Sequence, residues 1–221
     1  MNRGLVIFDM DGTVLDHNSW RLLHHAFGLS DAEDDTMLRW YSEGILNYAE
    51  WTNLITKIYL ARGFATKLLA LEVFGRCAPS PVAFEVVAEI KSRGFEVALA
   101  SAGIDILVES TAKRLEISRY RANHHMVFDD EGHLTNIEIL DNESSFKVTT
   151  LKAFCADIGI PVNACFCVGD GLNDRDIFSL TGQGVLICPP ETLPPFENYW
   201  RRVSNLSLVP DAIPSRPGGR L

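Results

Sequence analysis

The sequence predicts an α/β protein whose core has three layers, α/β/α, around a central parallel sheet. Short apolar runs typical of buried strands alternate with longer segments of helical periodicity, a pattern that favours a parallel sheet with right-handed crossovers. Three of the apolar runs end in polar residues, at Asp9, Ser101 and Asp170. Because ligands bind at the carboxyl ends of strands in open α/β sheets, we expect these residues to meet at one edge.

The first of these runs, residues 5–13, reads Leu-Val-Ile-Phe-Asp-Met-Asp-Gly-Thr. Its four apolar residues predict a strand buried on both faces. The strand ends in two acids, Asp9 and Asp11, and Gly12 allows the backbone to turn at once. Carboxylates paired in this way suit a ligand site. The alternative interpretation is an ordinary surface turn in which Asp and Gly end a strand.

A helical insertion is predicted to follow this strand. From about residue 19 to 75, apolar residues recur at three- and four-residue steps, glycines separate the segments, and no strand alternation intrudes. The expected helices cover 20–27, 36–43, 48–59 and 65–74. We therefore divide the chain into a core domain, residues 1–15 and 80–221, and a small helical domain, residues 16–79, inserted after the first strand.

Beyond the insertion, strands and helices alternate. The expected helices cover residues 84–93, 104–115, 145–158 and a short segment ending at 180. The expected strands cover residues 95–100, 124–128, 164–168 and 184–188, with a hairpin turn at 129–132. The tail from 210 to 221, rich in Pro, Gly and Arg, is expected to be loosely held.

Charge and composition narrow the possible partners. The 221 residues carry a net charge of −9, which argues against general binding of nucleic acid or anionic membranes. No apolar stretch approaches the roughly 18 residues needed to cross a bilayer, and the first strand begins too early for a secretory signal. Five cysteines at irregular spacing make no disulfide framework, and Cys165 and Cys167 are interpreted as small buried hydrophobes. We therefore expect a cytoplasmic protein of unassigned oligomeric state.

Carboxylates gathered at one sheet edge need a cation. Asp9, Asp11, Asp170 and Asp174 would repel one another unless a positive charge lies among them. Oxygen ligands without His or Cys at useful spacing favour Mg²⁺, which binds phosphate oxygens readily. A bound phosphate requires a hydroxyl, a backbone N–H and a positive charge. Ser101, after the second strand, offers a hydroxyl with a neighbouring backbone N–H, and Lys147 offers the charge.

The order of these motifs resembles the haloacid dehalogenase superfamily of phosphatases. The matching residues are Asp9-Met-Asp11-Gly12-Thr13, Ser101 after a strand, Lys147, and Gly169-Asp170-Gly171-Leu-Asn173-Asp174. The chain is most similar to the phosphoserine-phosphatase-like branch, in which a helical cap of the C1 type separates the first two motifs. The resemblance implies a Rossmann-like core and makes residues 16–79 the cap.

The resemblance also implies a role for each matching position. Asp9 would be the nucleophile that forms an aspartyl-phosphate, and Asp11 the general acid and base. Mg²⁺ would be held by Asp9, the Asp11 backbone, Asp170 and Asp174, and phosphate by Gly12, Ser101, Ala102 and Lys147. The implied activity is Mg²⁺-dependent hydrolysis of a small phosphomonoester. A phospho-accepting signalling module and a catalytically silent binding module on the same fold are the alternatives.

Several residues admit a second interpretation. Ser101 and Asp174 could each be a helix N-cap, and Lys152 competes with Lys147 for the site. Phosphoserine phosphatases usually carry a glutamate where this chain has Asn18, so phosphoserine itself is in doubt as the substrate. The tryptophans and tyrosines of the insertion are expected to form mostly its own core. The histidines at 24, 25, 124 and 125 show no ligand spacing and are assigned structural roles.

Overall fold

The computed structural model describes residues 4–219, apart from the side chains of residues 143 and 144. In this part of the chain, seven strands form one sheet with β1 (Leu5–Phe8) at its centre. Strand β1 pairs in parallel with β2 (Glu96–Ile104) and with β5 (Cys165–Gly169). Outward from β2 lie β3 (Arg119–Phe128) and an antiparallel β4 (Leu134–Ile139), and outward from β5 lie β6 (Gly184–Ile187) and β7 (Arg201–Val203). The predicted α/β class with a central, mostly parallel sheet is confirmed.

Four helices occupy the insertion between β1 and the next core helix. They are α1 (Ser19–Ala26), α2 (Asp31–Ser42), α3 (Tyr48–Arg62) and α4 (Lys67–Arg76). Capping boxes open two of them, Ser30 with Glu33 and Asn47 with Glu50, and the first box explains why α2 begins five residues before the expected position. The division into two domains, 16–79 and the rest, stays a prediction.

Helices cover both faces of the sheet. Helices α5 (Pro81–Ser92) and α6 (Asp105–Arg114) pack with Val6 and Phe8 of β1 in one hydrophobic cluster. Helices α7 (Glu143–Ile158) and α8 (Arg175–Thr181) pack with Leu5 and Ile7 in a second. Alternate residues of the central strand therefore face opposite helical layers, as the three-layer prediction requires.

The insertion shares its core with one face of the sheet. The cluster that holds Val6 and Phe8 continues into α1, α3 and α4 through Leu23, Ile55 and Phe74. The insertion also touches the β3–β4 hairpin, where Thr66 forms a bridge with His133. The predicted core role of its aromatic residues holds for most of them, although Trp40 is exposed.

The carboxyl-terminal region differs from the prediction. The tail is not loosely held throughout, because Pro210, Ala212 and Ile213 are buried and Arg93 donates to the Pro210 and Ile213 carbonyls at 2.6 and 3.0 Å. Strand β7 was not predicted, since Arg-Arg-Val is a short charged sequence of the kind found at sheet edges.

The cysteines lie in the core. All five cysteines are unpaired and buried, and Cys165 and Cys167 pack in the same hydrophobic cluster, as expected. Within residues 4–219, no helix combines the length and apolar character needed to cross a membrane.

Candidate active site

The structure gathers a buried group of charges at the carboxyl edge of β1 and β5. Asp9 directly follows β1, and its N–H donates to the Val168 carbonyl at 2.9 Å. Lys147, on α7, is almost fully buried, and its Nζ lies 3.0 Å from Asp9 Oδ2 and 2.6 Å from Asp174 Oδ1. Lys152, on the same helix, is exposed. We call Asp9, Lys147, Asp170 and Asp174 the acidic nest.

Two glycines leave space for the acids of this nest. Gly12 has φ +72°, and a Cβ at this position would lie 2.1 Å from Asp170 Oδ2. A Cβ on Gly169 would lie 2.2 Å from Asp174 Oδ2. The Asp170 and Asp174 carboxylates therefore occupy space that a side chain at position 12 or 169 would fill, so both positions require glycine.

Burial and repulsion by neighbouring carboxylates raise the pKa values of Asp9 and Asp170. Burial raises the pKa of Asp9 despite the attraction of Lys147, and Asp174 and Asp170 raise it further. The pKa of Asp170 rises to about 6, chiefly through burial and then through Asp174. Burial alone would lower the pKa of Lys147, but the charges of Asp174 and Asp9 raise it above its ordinary value. The lysine therefore stays charged, and it is outnumbered by carboxylates.

Asp11 is held by the first helix of the insertion. Its Oδ2 accepts hydrogen bonds from the Ser19 backbone N–H at 3.0 Å and from the Ser19 hydroxyl at 2.6 Å. The other oxygen, Oδ1, is buried and has no partner among the described residues. Burial raises the pKa of Asp11 although both bonds from Ser19 act to lower it. A carboxyl with one oxygen fixed and the other unpartnered is suited to proton transfer.

Ser101 lies at the end of the parallel β1–β2 pairing, in which Phe8 is opposite Leu99. The structure contradicts its interpretation as a helix N-cap, because Ser101 is still in β2 and the N-cap of α6 is Ile104, without a side-chain cap bond. Its Oγ instead accepts the Gly103 N–H at 2.9 Å.

Asp174 supports the turn as well as the nest. It sits at the N-cap of α8 without capping that helix through its side chain. Its Oδ2 accepts the Gly171 N–H at 3.2 Å while Oδ1 accepts from Lys147.

The nest fits a hard divalent cation. Carboxylate oxygens of Asp9, Asp170 and Asp174 all lie within 4.8 Å of one another, and one lysine cannot neutralise three carboxylates. An all-oxygen donor set of this kind matches Mg²⁺. A second group, Asp129, Glu131 and His133, is exposed on the hairpin turn and has only the features of a solvated acidic cluster.

Sequence reasoning missed two residues around the site, Ser19 and His124. A serine at the first position of a helix after the Asp-Gly turn gave a weak signal for the Ser19 contact with Asp11. His124 is fully buried, and its Nδ1 lies 2.7 Å from the Ala102 carbonyl oxygen. This contact depends on the register between β2 and β3, which one sequence does not reveal.

Aromatic rings enclose His124 on the side of the insertion. The His124 ring lies edge-on to Trp20 and to Tyr48, with centroids 4.7 and 5.5 Å away. Trp51 in turn contacts both of those rings. We call His124, Trp20, Tyr48 and Trp51 the aromatic wall.

A mostly parallel sheet with clustered acids and a buried lysine at its carboxyl edge is the arrangement expected of a haloacid dehalogenase-like hydrolase. The model of the haloacid dehalogenase-like hydrolase family matches residues 6–179 of this chain. The chain therefore belongs to that family.

The alignments with similar proteins cover most of this chain. A phosphoserine phosphatase of Streptococcus thermophilus is 29% identical over 189 residues, 84% of each chain, and one of Methanocaldococcus jannaschii is 27% identical over 185 residues, 83% of this chain and 85% of the relative. Among solved structures, a phospho-aspartyl intermediate analogue of phosphoserine phosphatase superposes with a TM-score of 0.79 at 23% identity, over 95% of this chain and 97% of that one. A haloacid dehalogenase family hydrolase of Salmonella enterica serovar Typhi superposes with a TM-score of 0.81 at 21% identity, over 99% of this chain and 72% of that one. At these identities the structures show the fold alone.

Proposed function

We propose that this protein is a Mg²⁺-dependent phosphatase that hydrolyses a small phosphomonoester through an aspartyl-phosphate on Asp9. The observation that carries the proposal is the buried contact of Lys147 with Asp9 and Asp174, beside the carboxylate of Asp170. The relatives named as phosphoserine phosphatases support it. Asp11, held by Ser19 with one oxygen unpartnered, supplies the group that a hydrolase needs and a stable phospho-acceptor does not.

In the first step, a carboxylate oxygen of Asp9 attacks phosphorus and the bond from phosphorus to the leaving-group oxygen breaks. Asp11 gives its proton to that oxygen, so the alcohol leaves neutral. Lys147, the Ser101 hydroxyl and the backbone at Ala102 and Gly12 would hold the non-bridging oxygens. Positioning and charge neutralisation by these groups supply most of the catalysis in phosphoryl transfer.

In the second step, Asp11 is a carboxylate and takes a proton from water. The water oxygen attacks phosphorus, the bond from phosphorus to Asp9 breaks, and inorganic phosphate leaves with Asp9 restored. Asp9, Asp170, Asp174 and the Asp11 backbone carbonyl would hold Mg²⁺, which when bound neutralises charge on the phosphoryl group. The raised pKa of Asp11 allows the same residue to act as acid and then as base.

The leaving group is selected by the insertion, which we propose acts as a cap over the site. Asn18 is exposed, and its side chain accepts the Arg21 N–H at 3.0 Å as the N-cap of α1. This position therefore offers a substrate no negative charge, which argues against phosphoserine. Five free, buried thiols support a reducing, cytoplasmic location.

Phosphate release from a panel of metabolite phosphates, with and without Mg²⁺, tests the proposal. We expect turnover of at least one small phosphomonoester that stops on chelation and resumes when Mg²⁺ is restored. Absence of turnover on every member, with metal binding verified by calorimetry, would contradict the proposed activity.

A further inference from the structure

We propose that His124 is a positioning residue that fixes the direction of the Ser101 hydroxyl through the peptide bond joining Ala102 to Gly103. The inference deepens the proposed function, because it concerns how the phosphate-binding hydroxyl is aimed. It rests on two hydrogen bonds at opposite ends of one peptide group and on the burial of every participant.

The first bond fixes the carbonyl end of that peptide. His124 Nδ1 lies 2.7 Å from the Ala102 carbonyl oxygen. A carbonyl oxygen only accepts hydrogen bonds, so the proton of this bond belongs to Nδ1. Burial of the ring lowers the pKa of His124 to about 4, so the ring is neutral near pH 7 and carries this single proton.

The second bond leaves from the amide end. The C=O of Ala102 and the N–H of Gly103 belong to the same planar trans peptide, so they point in opposite directions. The Gly103 N–H donates to Ser101 Oγ at 2.9 Å. A donor at the carbonyl end thus orients the amide that binds the serine oxygen, and polarises it in the same sense.

The proton of the Ser101 hydroxyl is free to be donated. Having accepted the Gly103 N–H, the hydroxyl still carries its own proton, and across residues 4–219 no protein acceptor receives that proton. Ser101 is nevertheless 97% buried, at the sheet edge beside the Asp9–Asp11 turn. The hydroxyl proton is therefore available to a phosphate oxygen bound at that edge.

The peptide that joins Ala102 to Gly103 lies where the pairing of β2 with β3 is irregular. The register between β2 and β3 shifts between Ser101 and Ile104, which interrupts regular strand pairing at the phosphate-binding residues. His124 belongs to β3 and pairs with Ile104 on the far side of the shift. Ala102 and Gly103 lie inside this shift, without a paired residue in β3, and the His124 side chain contacts the Ala102 carbonyl there.

The insertion holds the imidazole in place. Trp20 and Tyr48 pack edge-on against the ring, and Thr52 Oγ1 lies 3.3 Å from Nε2, the nitrogen without a proton. The Thr52 hydroxyl also lies 3.1 Å from the Tyr48 carbonyl, so its proton can serve either acceptor. Trp20 of α1 and Tyr48 of α3 therefore hold the ring in position, and Thr52 of α3 offers a donor to the nitrogen that the required tautomer leaves unprotonated.

Two substitutions distinguish the hydrogen-bond donor role of His124 from its role in packing. His124→Phe keeps a ring against Trp20 and removes the Nδ1 donor. His124→Asn places an amide N–H near the Nδ1 position and removes the ring. The matched control is His125→Phe, because His125 is the next residue, is half-exposed, and contacts Asp105 rather than Ala102.

The main measurement is the inhibition constant of inorganic phosphate with Mg²⁺ present, together with kcat and KM. We expect His124→Phe to weaken phosphate binding about tenfold, the effect of one hydrogen bond, and His124→Asn and the control to stay within about threefold of the unaltered protein. In a Ser101→Ala background, His124→Phe should cause no further loss. The proposal would be overturned if His124→Phe and His124→Asn weakened phosphate binding equally. It would also be overturned if the losses from His124→Phe and Ser101→Ala were fully additive.

A second measurement does not depend on turnover. Proton–nitrogen correlation spectra of the imidazole should show the proton on Nδ1 at neutral pH, and the free energy of unfolding should show coupling between positions 124 and 101 in a double-mutant cycle. A proton on Nε2, or no coupling, would overturn the proposal even in an active enzyme. Both expected results in a protein that releases no phosphate would support the His124 arrangement and contradict the phosphatase assignment.

Discussion

The acidic nest and the aromatic wall border the same sheet edge but come from different parts of the chain. The nest uses residues at the ends of β1 and β5 and one lysine of α7, all within the α/β core. The wall uses α1 and α3 of the insertion together with His124 of β3. In the proposed function, the charges that would meet a metal and a phosphate are fixed by the sheet, whereas the surfaces that would face a leaving group are fixed by packing of the insertion. Ser19, which reaches Asp11 from α1, joins the two regions.

The largest effect of a change in the nest is expected from Lys147→Met. Removing the only lysine of the nest leaves Asp9 and Asp174 buried without compensation, and we expect a loss of about 3–5 kcal/mol in the free energy of unfolding without Mg²⁺. Added Mg²⁺ should recover part of this loss, because the cation binds the folded state. Urea unfolding at several Mg²⁺ concentrations measures both effects. Lys152→Met, on the same helix but exposed, should change stability little, and equal losses from both variants would show that the nest is not electrostatically special.

The contact between the two regions is tested by Ser19→Ala. The variant removes the hydroxyl bond to Asp11 Oδ2 and keeps the backbone N–H bond, so the acid is held less firmly. This looser placement should lower kcat by up to about 10²-fold on an alkyl phosphate. The loss should be much smaller on p-nitrophenyl phosphate, because its leaving oxygen needs little protonation. Asn18→Ala is the control, since it weakens the cap of α1 without touching Asp11. A loss that is the same for both substrates would contradict the proposed role of Asp11 as acid.

The close packing of the acidic nest is tested by substituting two glycines with alanine. Gly12 and Gly44 both have φ +72°, but only Gly12 faces a neighbour, since nothing lies within 4 Å of a Cβ at Gly44. Gly12→Ala should displace Asp170 and raise the Mg²⁺ concentration for half-maximal activity by about tenfold or more. Gly44→Ala should cost stability only, about 1 kcal/mol. Thermal stability and Mg²⁺ titration of both variants separate backbone strain from loss of the metal site.

A smaller effect, on the pH dependence of stability, is expected from the aromatic wall. The pKa of His124 is about 4 in the folded protein against 6.5 ordinarily, so the unfolded chain takes up a proton that the folded one excludes. This contribution to stability is complete above pH 6.5 and is lost as pH falls toward 4. In urea unfolding between pH 7 and 4.5, His124→Asn should therefore lose less stability than the unaltered protein. An unchanged slope would contradict the burial of a neutral imidazole.

The difference between the two regions also explains what the sequence could predict. Acids after apolar strands are local patterns, so Asp9, Asp11, Asp170 and Asp174 could be proposed together from strand order alone. The choice of Lys147 over the equally basic Lys152 depends on its place nearer the helix start and on the family resemblance. His124 could not be found, because its partner at Ala102 is set by an irregular strand register 22 residues away. The tail was mispredicted because its composition suggested disorder while its few apolar residues are packed against α5.

The claim on which the account depends is that Asp9 itself carries the phosphoryl group. During steady-state turnover of a ³²P-labelled phosphomonoester with Mg²⁺, acid quenching should trap a label that is sensitive to hydroxylamine, as an acyl phosphate is, and that maps to the peptide containing Asp9. Chelation of Mg²⁺ or Asp9→Asn should remove the label, whereas Asp16→Asn, at an exposed position of the following turn, should not. Label on another residue, or continued phosphate release by the Asp9→Asn variant, would contradict the account.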